Sequence, residues 1–580
     1  MVKDPVIRFS GFSFTYLAQK YPTIKDLDLT IYRGEKVLVV GPSGSGKSTL
    51  GNCINGLIPF SYDGEIVGEL KVDGTFVKDS SVFELSKTVG TVMQDSDAQF
   101  VALSVGEDIA FALENDLVPQ DHMKRRVAEV AKLVGVDGLL KQSPQELSGG
   151  QKQRTSLAGI LVDDVDVLLF DEPLANLDPQ TGKYAIELID EIHRGRRLDA
   201  GEHKREDDRR TTIIIEHRIE DVLHREVDRI LLVDDGRIVA DLPPHEMVAS
   251  GLLIEHGLRE PLYVTALRHA GVTVTAGMRP AYLHTVDFDG ARDRLNSWYD
   301  SAEDAPPPAS GDEVLTIRGL DFEYYPNQPV LSGINFTIGA GEMVSIVGTN
   351  GAGKSTLAKI ICRFEEHPAA TVYFRGEDAA ELTITDRASF VGFIMQNPNQ
   401  MITQTQVYDE IASGLRLRKV NKNEIDQRVD KVLAVCGLER FKKWPISALS
   451  YGQKKRVTIA SILILDPKVI ILDEPTAGQD YRHYTEIMRF LKKINDLGVT
   501  IVMITHDMHL MLEYTRRSLV IDGGRIIADT DSSDVLTSPD LVERASLKET
   551  SLFHLAERVG IDDPKSLVDR FIQFEAVRRR

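Results

Sequence analysis

An α/β fold built twice in tandem is what this 580-residue chain predicts, and three observations predict it. A glycine-rich stretch, preceded by a short apolar run and followed by a helical pattern, occurs at Gly41 to Thr49 and again at Gly348 to Thr356. An apolar strand that ends in adjacent acids, Val167 to Glu172, returns as Val469 to Glu474. Several shorter motifs keep the same order around these two in both halves. A chain of this length exceeds a single hydrophobic core, and its duplication assigns two large domains.

The repeats also set boundaries. Residues 1–243 read as the first large domain and 244–300 as an accessory segment at its C-terminal end. Residues 313–535 read as the second domain and 536–580 as a second accessory segment, helical in pattern. Leu258-Arg259-Glu260 stands as far before Gly271-Val272 as Leu547-Lys548-Glu549 stands before Gly560-Ile561, so even the tails repeat. Between them, 301–312 (SAEDAPPPASGD) is acidic and proline-rich, the composition of a semi-rigid linker.

In chain order, Leu27, Leu29 and Ile31 alternate onto one face of a strand, as do Ile334, Phe336 and Ile338. Tyr16 and Tyr324 lie about two dozen residues before the glycine-rich stretches. Each has two readings: an aromatic face for a nucleotide base, or a strand aromatic in the core.

The stretches themselves, GPSGSGKST and GTNGAGKST, fit Gly, four residues, Gly, Lys, Ser/Thr, the pattern of a phosphate-binding P-loop. Gly41, Pro42, Ser43, Gly44, Ser45 and Gly46 form a loop whose backbone N–H groups can turn inward on a polyphosphate, and the helix that follows adds its positive end. Lys47 supplies a charge for the outer phosphates, and Ser48, beside Thr49, offers a hydroxyl to magnesium. Gly348, Thr349, Asn350, Gly351, Ala352, Gly353, Lys354, Ser355 and Thr356 repeat these parts.

A glutamine ends the next strand in each half, Gln94 after Val89 to Met93 and Gln396 after Val391 to Met395. Its amide has an acceptor for a metal ion and donors for water. Val127, Val130, Ala131 and Val134 then have helical spacing, repeated by Val429, Val432, Leu433 and Cys436, which reads as the core face of a small helical subdomain. Ser148-Gly149-Gly150-Gln151 and its counterpart Ser450-Tyr451-Gly452-Gln453 each open a helical stretch, where a serine and glycine N–H groups can grip a phosphate from another side.

The strands ending Asp171-Glu172 and Asp473-Glu474 place two carboxylates at the carboxyl edge of a sheet, where open α/β folds bind ligands. The aspartate suits magnesium, and the glutamate suits polarising a water. His217 follows the apolar run Ile213 to Ile215 and His506 follows Val502 to Ile504, in register with the other motifs for a terminal-phosphate contact. His217 comes 45 positions after Glu172 and His506 32 after Glu474; the surplus falls around 194–210, a charged stretch that reads as a solvated loop. Asp235-Gly236 and Asp522-Gly523 mark hairpin turns.

The formal charge of −20 argues against a constitutive nucleic-acid binder. Cys53, Cys362 and Cys436 have no metal-ligand spacing and read as buried apolar residues of a reducing compartment. The N-terminus lacks the apolar core of a signal peptide, and no uninterrupted apolar run is long enough to span a membrane, so a membrane role is expected to come through partners.

The whole set, P-loop, glutamine, LSGGQ-type signature, Asp-Glu and histidine in this order twice, resembles the ATP-binding cassette (ABC) ATPases over nearly the full chain. The resemblance implies two tandem domains, each with a RecA-like parallel-sheet core, an antiparallel β subdomain and a small α-helical subdomain, arranged head-to-tail as an intramolecular pseudo-dimer. It implies two Mg2+-dependent ATP sites. One would join Lys47, Ser48, Gln94, Asp171, Glu172 and His217 to Ser450, Gly452 and Gln453; the other would join Lys354, Ser355, Gln396, Asp473, Glu474 and His506 to Ser148, Gly149, Gly150 and Gln151. Glu172, His217, Glu474 and His506 would be catalytic, and Ser48, Gln94, Asp171, Ser355, Gln396 and Asp473 would hold the metal.

Gln396-Asn397-Pro398-Asn399-Gln400, Tyr408-Asp409-Glu410-Ile411-Ala412, Gly106-Glu107-Asp108-Ile109-Ala110-Phe111 and Ile215-Glu216-His217-Arg218 look more narrowly like the ATPases of energy-coupling-factor (ECF) importers. That family implies an integral-membrane coupling protein, a small substrate-binding membrane protein, a vitamin or transition-metal cargo, and a place on the cytoplasmic face of the cell membrane. The first copy departs at Asp95-Ser96, and the second at Tyr451, where a signature glycine is replaced; the bulkier residue predicts slower turnover at the site served by Lys47. The competing reading is a twin-cassette ATPase acting on ribosomes or nucleic acid, which the acidic charge and short linker oppose. A third is the fused ATPase of a sugar importer.

Overall fold

Strands form where the apolar runs predict them. In the computed structural model, which describes residues 4–94, 96–175, 177–195, 209–301 and 311–578, Lys36–Val40 and Thr211–Ile215 are buried at every position. That is the signature of strands covered on both faces, and it belongs to parallel sheets. The chain divides into two compact units, Met1–Leu295 with Asp480–Arg482, and Asn296–Gln479 with His483–Arg580. The charged loop and the proline-rich linker fall almost wholly outside the described residues.

The first unit holds a six-stranded sheet in the order Arg237–Leu242, Arg229–Asp234, Lys36–Val40, Thr211–Ile215, Val167–Asp171, Val89–Val92. All pairings are parallel except that of the edge strand Arg237–Leu242. The second unit repeats the order with Arg525–Asp531, Arg517–Asp522, Met343–Gly348, Thr500–Ile504, Val469–Asp473 and Val391–Ile394. Register aligns the strand ends: Asp171 faces Ile215, which faces Val39, and Asp473 faces Ile504, which faces Ile346. Parallel strands all finish at one edge, so the motifs that end them are brought together there.

A four-stranded antiparallel sheet packs against each parallel one, ordered Ile24–Tyr32, Pro5–Tyr16, Gly64–Val72, Thr75–Phe76 in the first unit. Its counterpart runs Gln328–Gly339, Glu313–Tyr325, Val372–Phe374, Glu377–Asp378. Leu27, Leu29 and Ile31 join Val37, Val39 and Leu50 in one core, as Ile334, Phe336 and Ile338 join Val344, Ile346 and Leu357. The helices Val105–Asn115, Gln120–Val134 and Gly149–Leu161 form the helical subdomain, matched by Val407–Leu417, Lys422–Cys436 and Tyr451–Leu463. Val127, Val130, Ala131 and Val134 are all buried; in the copy Val429, Leu433 and Cys436 are buried while Val432 is half-buried at the margin.

The first hairpin turns at Asp235-Gly236 as the sequence suggests. The second turns one residue later, at Gly523-Gly524, because Asp522 still pairs with Arg525 and both turn residues must take positive φ, 51° and 75°. The accessory segments are helical, Pro244–Ser250, Leu252–Glu255 and Leu262–His269 after the first sheet, and Ser532–Thr537, Pro539–Arg544, Ser551–Val559 and Pro564–Arg578 after the second. The three cysteines are free and buried, and desolvation pushes the thiols of Cys362 and Cys436 up to about 12. Among the described residues no helix is long and apolar enough to cross a membrane.

Candidate active site

Each P-loop leaves its strand through a glycine that has no alternative. A Cβ on Gly41 would sit 2.0 Å from the Val233 carbonyl oxygen, and one on Gly348 2.0 Å from that of Ile521. The loop enters the helices Lys47–Ile54 and Lys354–Ile361 through Gly46 and Gly353, at φ 105° and 97°. Inside the turn, Lys47 Nζ donates to the carbonyls of Gly41 (2.7 Å) and Pro42 (2.9 Å), and Lys354 Nζ to those of Gly348 (2.7 Å) and Thr349 (2.8 Å). Both ammonium groups are therefore folded back over the cup the loop forms. Burial pulls Lys47 below the ordinary lysine range, against the opposing pull of Glu172 and Asp171.

The hydroxyl of the residue after each lysine reaches the strand that ends in two acids. Ser48 Oγ donates to Asp171 at 3.3 Å and Ser355 Oγ to Asp473 at 2.9 Å. Desolvation holds both aspartates above the usual carboxylate range, opposed by the serine hydroxyls and by the charges of Lys47 in the first unit and of Lys354 and Lys455 in the second.

The next residue is strained in both copies. Glu172 has φ 50° and Glu474 φ 45°, left-handed backbone that side chains other than glycine seldom adopt. Neighbouring strand ends hold it, because Glu172 N–H donates to the Ile215 carbonyl and Glu474 N–H to that of Ile504, each at 2.9 Å. Strain kept by such overdetermined contacts is characteristic of functional positions. Burial raises the Glu172 carboxyl, opposed by His217.

The histidines differ. His506 Nδ1 lies 2.7 Å from Glu474 Oε1. His217 Nδ1 stands 4.0 Å from Glu172 and instead 3.2 Å from Glu216, a fully buried carboxylate that also accepts the backbone N–H groups of His217, Arg218 and Leu174. The second copy has Thr505 at that place, whose hydroxyl accepts from Asp507 N–H at 2.9 Å. The sequence places Glu216 in the Ile215-Glu216-His217-Arg218 resemblance without giving it a role in the site; the signal for one is an acid following an apolar strand whose copy ends in threonine.

The glutamines differ as well. Gln94 Nε2 donates to Glu172 Oε2 at 2.5 Å, which brings it into the acid pair. Gln396 is held by its backbone carbonyl, which accepts from Tyr451 Oη (3.1 Å) and Lys455 Nζ (2.9 Å). Lys455 is 1 % exposed, and desolvation brings it down to about 8.

Tyr16 and Tyr324 share hydrogen bonds with the threonines that end the P-loops, Tyr16 with Thr49 at 3.1 Å and Tyr324 with Thr356 at 3.4 Å. The Tyr16 ring packs edge-on to Phe14 and Tyr62, and the more exposed Tyr324 ring packs edge-on to Phe322 alone among the described residues. Ser148 and Ser450 cap the helices of the helical subdomain: each hydroxyl accepts from the N–H of Gln151 or Gln453, and each glutamine amide oxygen accepts the serine N–H at 2.9 Å. The signature glutamines thus set the start of their own helices.

Lysine, hydroxyl, carboxylates and histidine consequently converge within each unit on the carboxyl edge of its parallel sheet, and in the first unit the side chain of Gln94 joins them. Comparison with known proteins gives the family. The ABC transporter family profile matches residues 24–175 and 331–477, and a profile described as ATP-binding cassette cobalt transporter matches 250–322. An ABC transporter ATP-binding protein of Clostridium perfringens is 52% identical over 99% of this chain and 99% of its own length. One from Photobacterium profundum is 49% identical over 98% and 99%, and one from Enterococcus faecalis 50% over 99% of both. A solved chain, cbiO1 from Clostridium perfringens, part of the ABC transporter complex cbiONQ, is 34% identical, covering 42% of this chain and 99% of its own with a TM-score of 0.38. The chain belongs to the ABC transporter family, as a protein that carries two ATP-binding cassettes in tandem.

Proposed function

We propose that this chain is the ATP-hydrolysing subunit of an ECF-type importer for a vitamin or transition-metal ion. It would work at the cytoplasmic face of the membrane with an integral-membrane coupling protein and a small substrate-binding membrane protein. The observation that carries the ATPase part is the pair of strained glutamates, each held at a sheet edge beside a P-loop lysine and a serine–aspartate pair. In this reading Lys47 and Lys354 leave their own loop carbonyls to meet the β- and γ-phosphates, with the loop residues 41–46 and 348–353 around them. Glu172 and Glu474 orient and deprotonate the attacking water, and His217 and His506 touch the γ-phosphate.

Ser48, Asp171 and Gln94, like Ser355, Asp473 and Gln396, offer hydroxyl, carboxylate and amide oxygens, the hard donors magnesium takes. The closeness of each serine to its raised-pKa aspartate fits a cation there. Bound magnesium supplies charge neutralisation for the leaving phosphate. Two complete sets support two working sites, and their unlike histidine and glutamine contacts support unequal rates.

Support for transport comes from the relatives' descriptions, and support for a metal cargo from the cobalt-transporter profile over residues 250–322. The test is a mild-detergent pull-down of the full chain from its native membranes. Small polytopic membrane proteins should accompany it; ribosomes or nucleic acid without membrane proteins would overturn the proposal.

A further inference from the structure

The helix Tyr451–Leu463 and the loop carrying Gln396 are joined by three side chains. Tyr451 and Lys455, four residues apart and so on one helix face, both donate to the Gln396 carbonyl, at 3.1 and 2.9 Å. Lys454 Nζ donates to Asn399 Oδ1 at 3.2 Å. A carbonyl that accepts two hydrogen bonds, one from a buried ammonium, is costly to release, since an ammonium withdrawn from water needs its partners. Lys455 is also close enough to Asp473 and Glu474 for its charge to act on both.

The first unit cannot build this joint. Its helix starts with Gly149, which has no side chain, where the second has Tyr451, and it carries Gln153 where the second has Lys455. Gln153 Nε2 donates to the Pro173 carbonyl, one residue beyond the strained glutamate. Gln94 there uses its side chain, bonded to Glu172. The same sequence position thus ties the helix to the acid strand in one unit and to the glutamine loop in the other.

We propose that Tyr451 and Lys455 are positioning residues for the ATP site of the second unit, fastening Gln396 to the signature helix so that loop and helix move as one piece. The inference rests on the reading of Gln396 and Glu474 as members of an ATP site. Its consequence is that the second site aligns its glutamine through the helix, while the first aligns its own through the glutamate.

The test is ATP turnover by the full chain carrying Tyr451→Phe, which keeps the ring, and Lys455→Gln, which installs the first unit's residue. Each is made alone and together, in the Glu172→Gln and the Glu474→Gln backgrounds. Removing the joint should lower kcat about tenfold, the worth of one to two net hydrogen bonds, with KM for ATP little changed. The loss should appear in the Glu172→Gln background and vanish in the Glu474→Gln background, because residues that act through one site are non-additive with it. Lys455→Arg, which keeps a donor and a charge, should recover most of it. Equal losses in both backgrounds, or no loss, would overturn the inference.

Hydrogen exchange of residues 395–401 in the nucleotide-free protein reads the same joint without turnover. Exchange should rise in both single variants while that of 89–94 stays fixed; no rise would overturn the joint. An inactive wild type whose variants still loosen 395–401 would count against the ATPase reading and leave the joint standing.

Discussion

His506 Nδ1 and Glu474 Oε1 are 2.7 Å apart, whereas the corresponding pair in the first half, His217 and Glu172, is separated by 4.0 Å. The buried carboxylate of Glu216 accounts for the difference, because it draws the first histidine towards itself. Two sites with the same residue types are therefore differently assembled, and the second has its acid and histidine already in contact. Glu474→Gln should remove more than half of the ATP turnover and Glu172→Gln less than half, measured by phosphate release at saturating ATP. Equal losses would contradict the asymmetry.

The P-loop lysines rest on their own loop carbonyls, from which a polyphosphate would draw them. Lys47→Ala and Lys354→Ala should each weaken ATP binding at the altered site about tenfold to a hundredfold, the worth of a charged hydrogen-bonding group. Titration with a fluorescent ATP analogue resolves the two sites as separate phases. Unaltered affinity in both variants would remove the lysines from the site.

Close backbone approach at the loop entrance makes a contrast between two glycines. Gly348, where a Cβ would lie 2.0 Å from a carbonyl oxygen, should not tolerate alanine, at a cost of about 1–3 kcal/mol from overpacking. Gly351 also has positive φ but open space around its Cβ position, so Gly351→Ala should cost less. Urea unfolding of the two variants compares them.

The second unit carries a pH-sensitive brace. Arg387 is 1 % exposed and donates to the carbonyls of Ile360 and Ile361, the last turn of the P-loop helix. It also donates to His367 Nε2 at 2.6 Å, so that nitrogen must be unprotonated. Desolvation and the charges of Arg387 and Arg363 pull His367 below the ordinary histidine range, against the Pro368 carbonyl and Asp378.

Because the folded-state pKa is the lower one, the unfolded chain binds the proton more readily. The contribution is intact above the unfolded value, about 6.5, and is lost as pH falls from there through the folded value. Thermal melts between pH 7.5 and 5.5 should fall more steeply for the wild type than for His367→Gln, which offers an acceptor and takes no proton. Parallel curves would refute the brace.

Much of this was readable because it is written twice. The P-loops, the Asp-Glu strand ends and the glutamines recur at matching places, and parallel strands with a common carboxyl edge turn those places into one site. What escaped the sequence depends on side chains meeting across elements. Glu216 and Thr505 occupy one position and send their histidines different ways. Lys455 looks like any helix-surface lysine until its fold partner, the Gln396 carbonyl, is known. The second hairpin turns at Gly523-Gly524 because Asp522 pairs with Arg525 just as Asp234 pairs with Arg237, so aligning the two copies, rather than looking for an Asp-Gly dipeptide, locates the turn.

The alignment of Asp171 with Ile215 and Val39, and of Asp473 with Ile504 and Ile346, makes each sheet a combination lock. A strand threaded one residue out of place turns its whole set of side chains to the opposite face, so lysine, acids and histidine miss one another together. A unit out of register therefore keeps no partial site: its lysine, acids and histidine come together all at once or not at all.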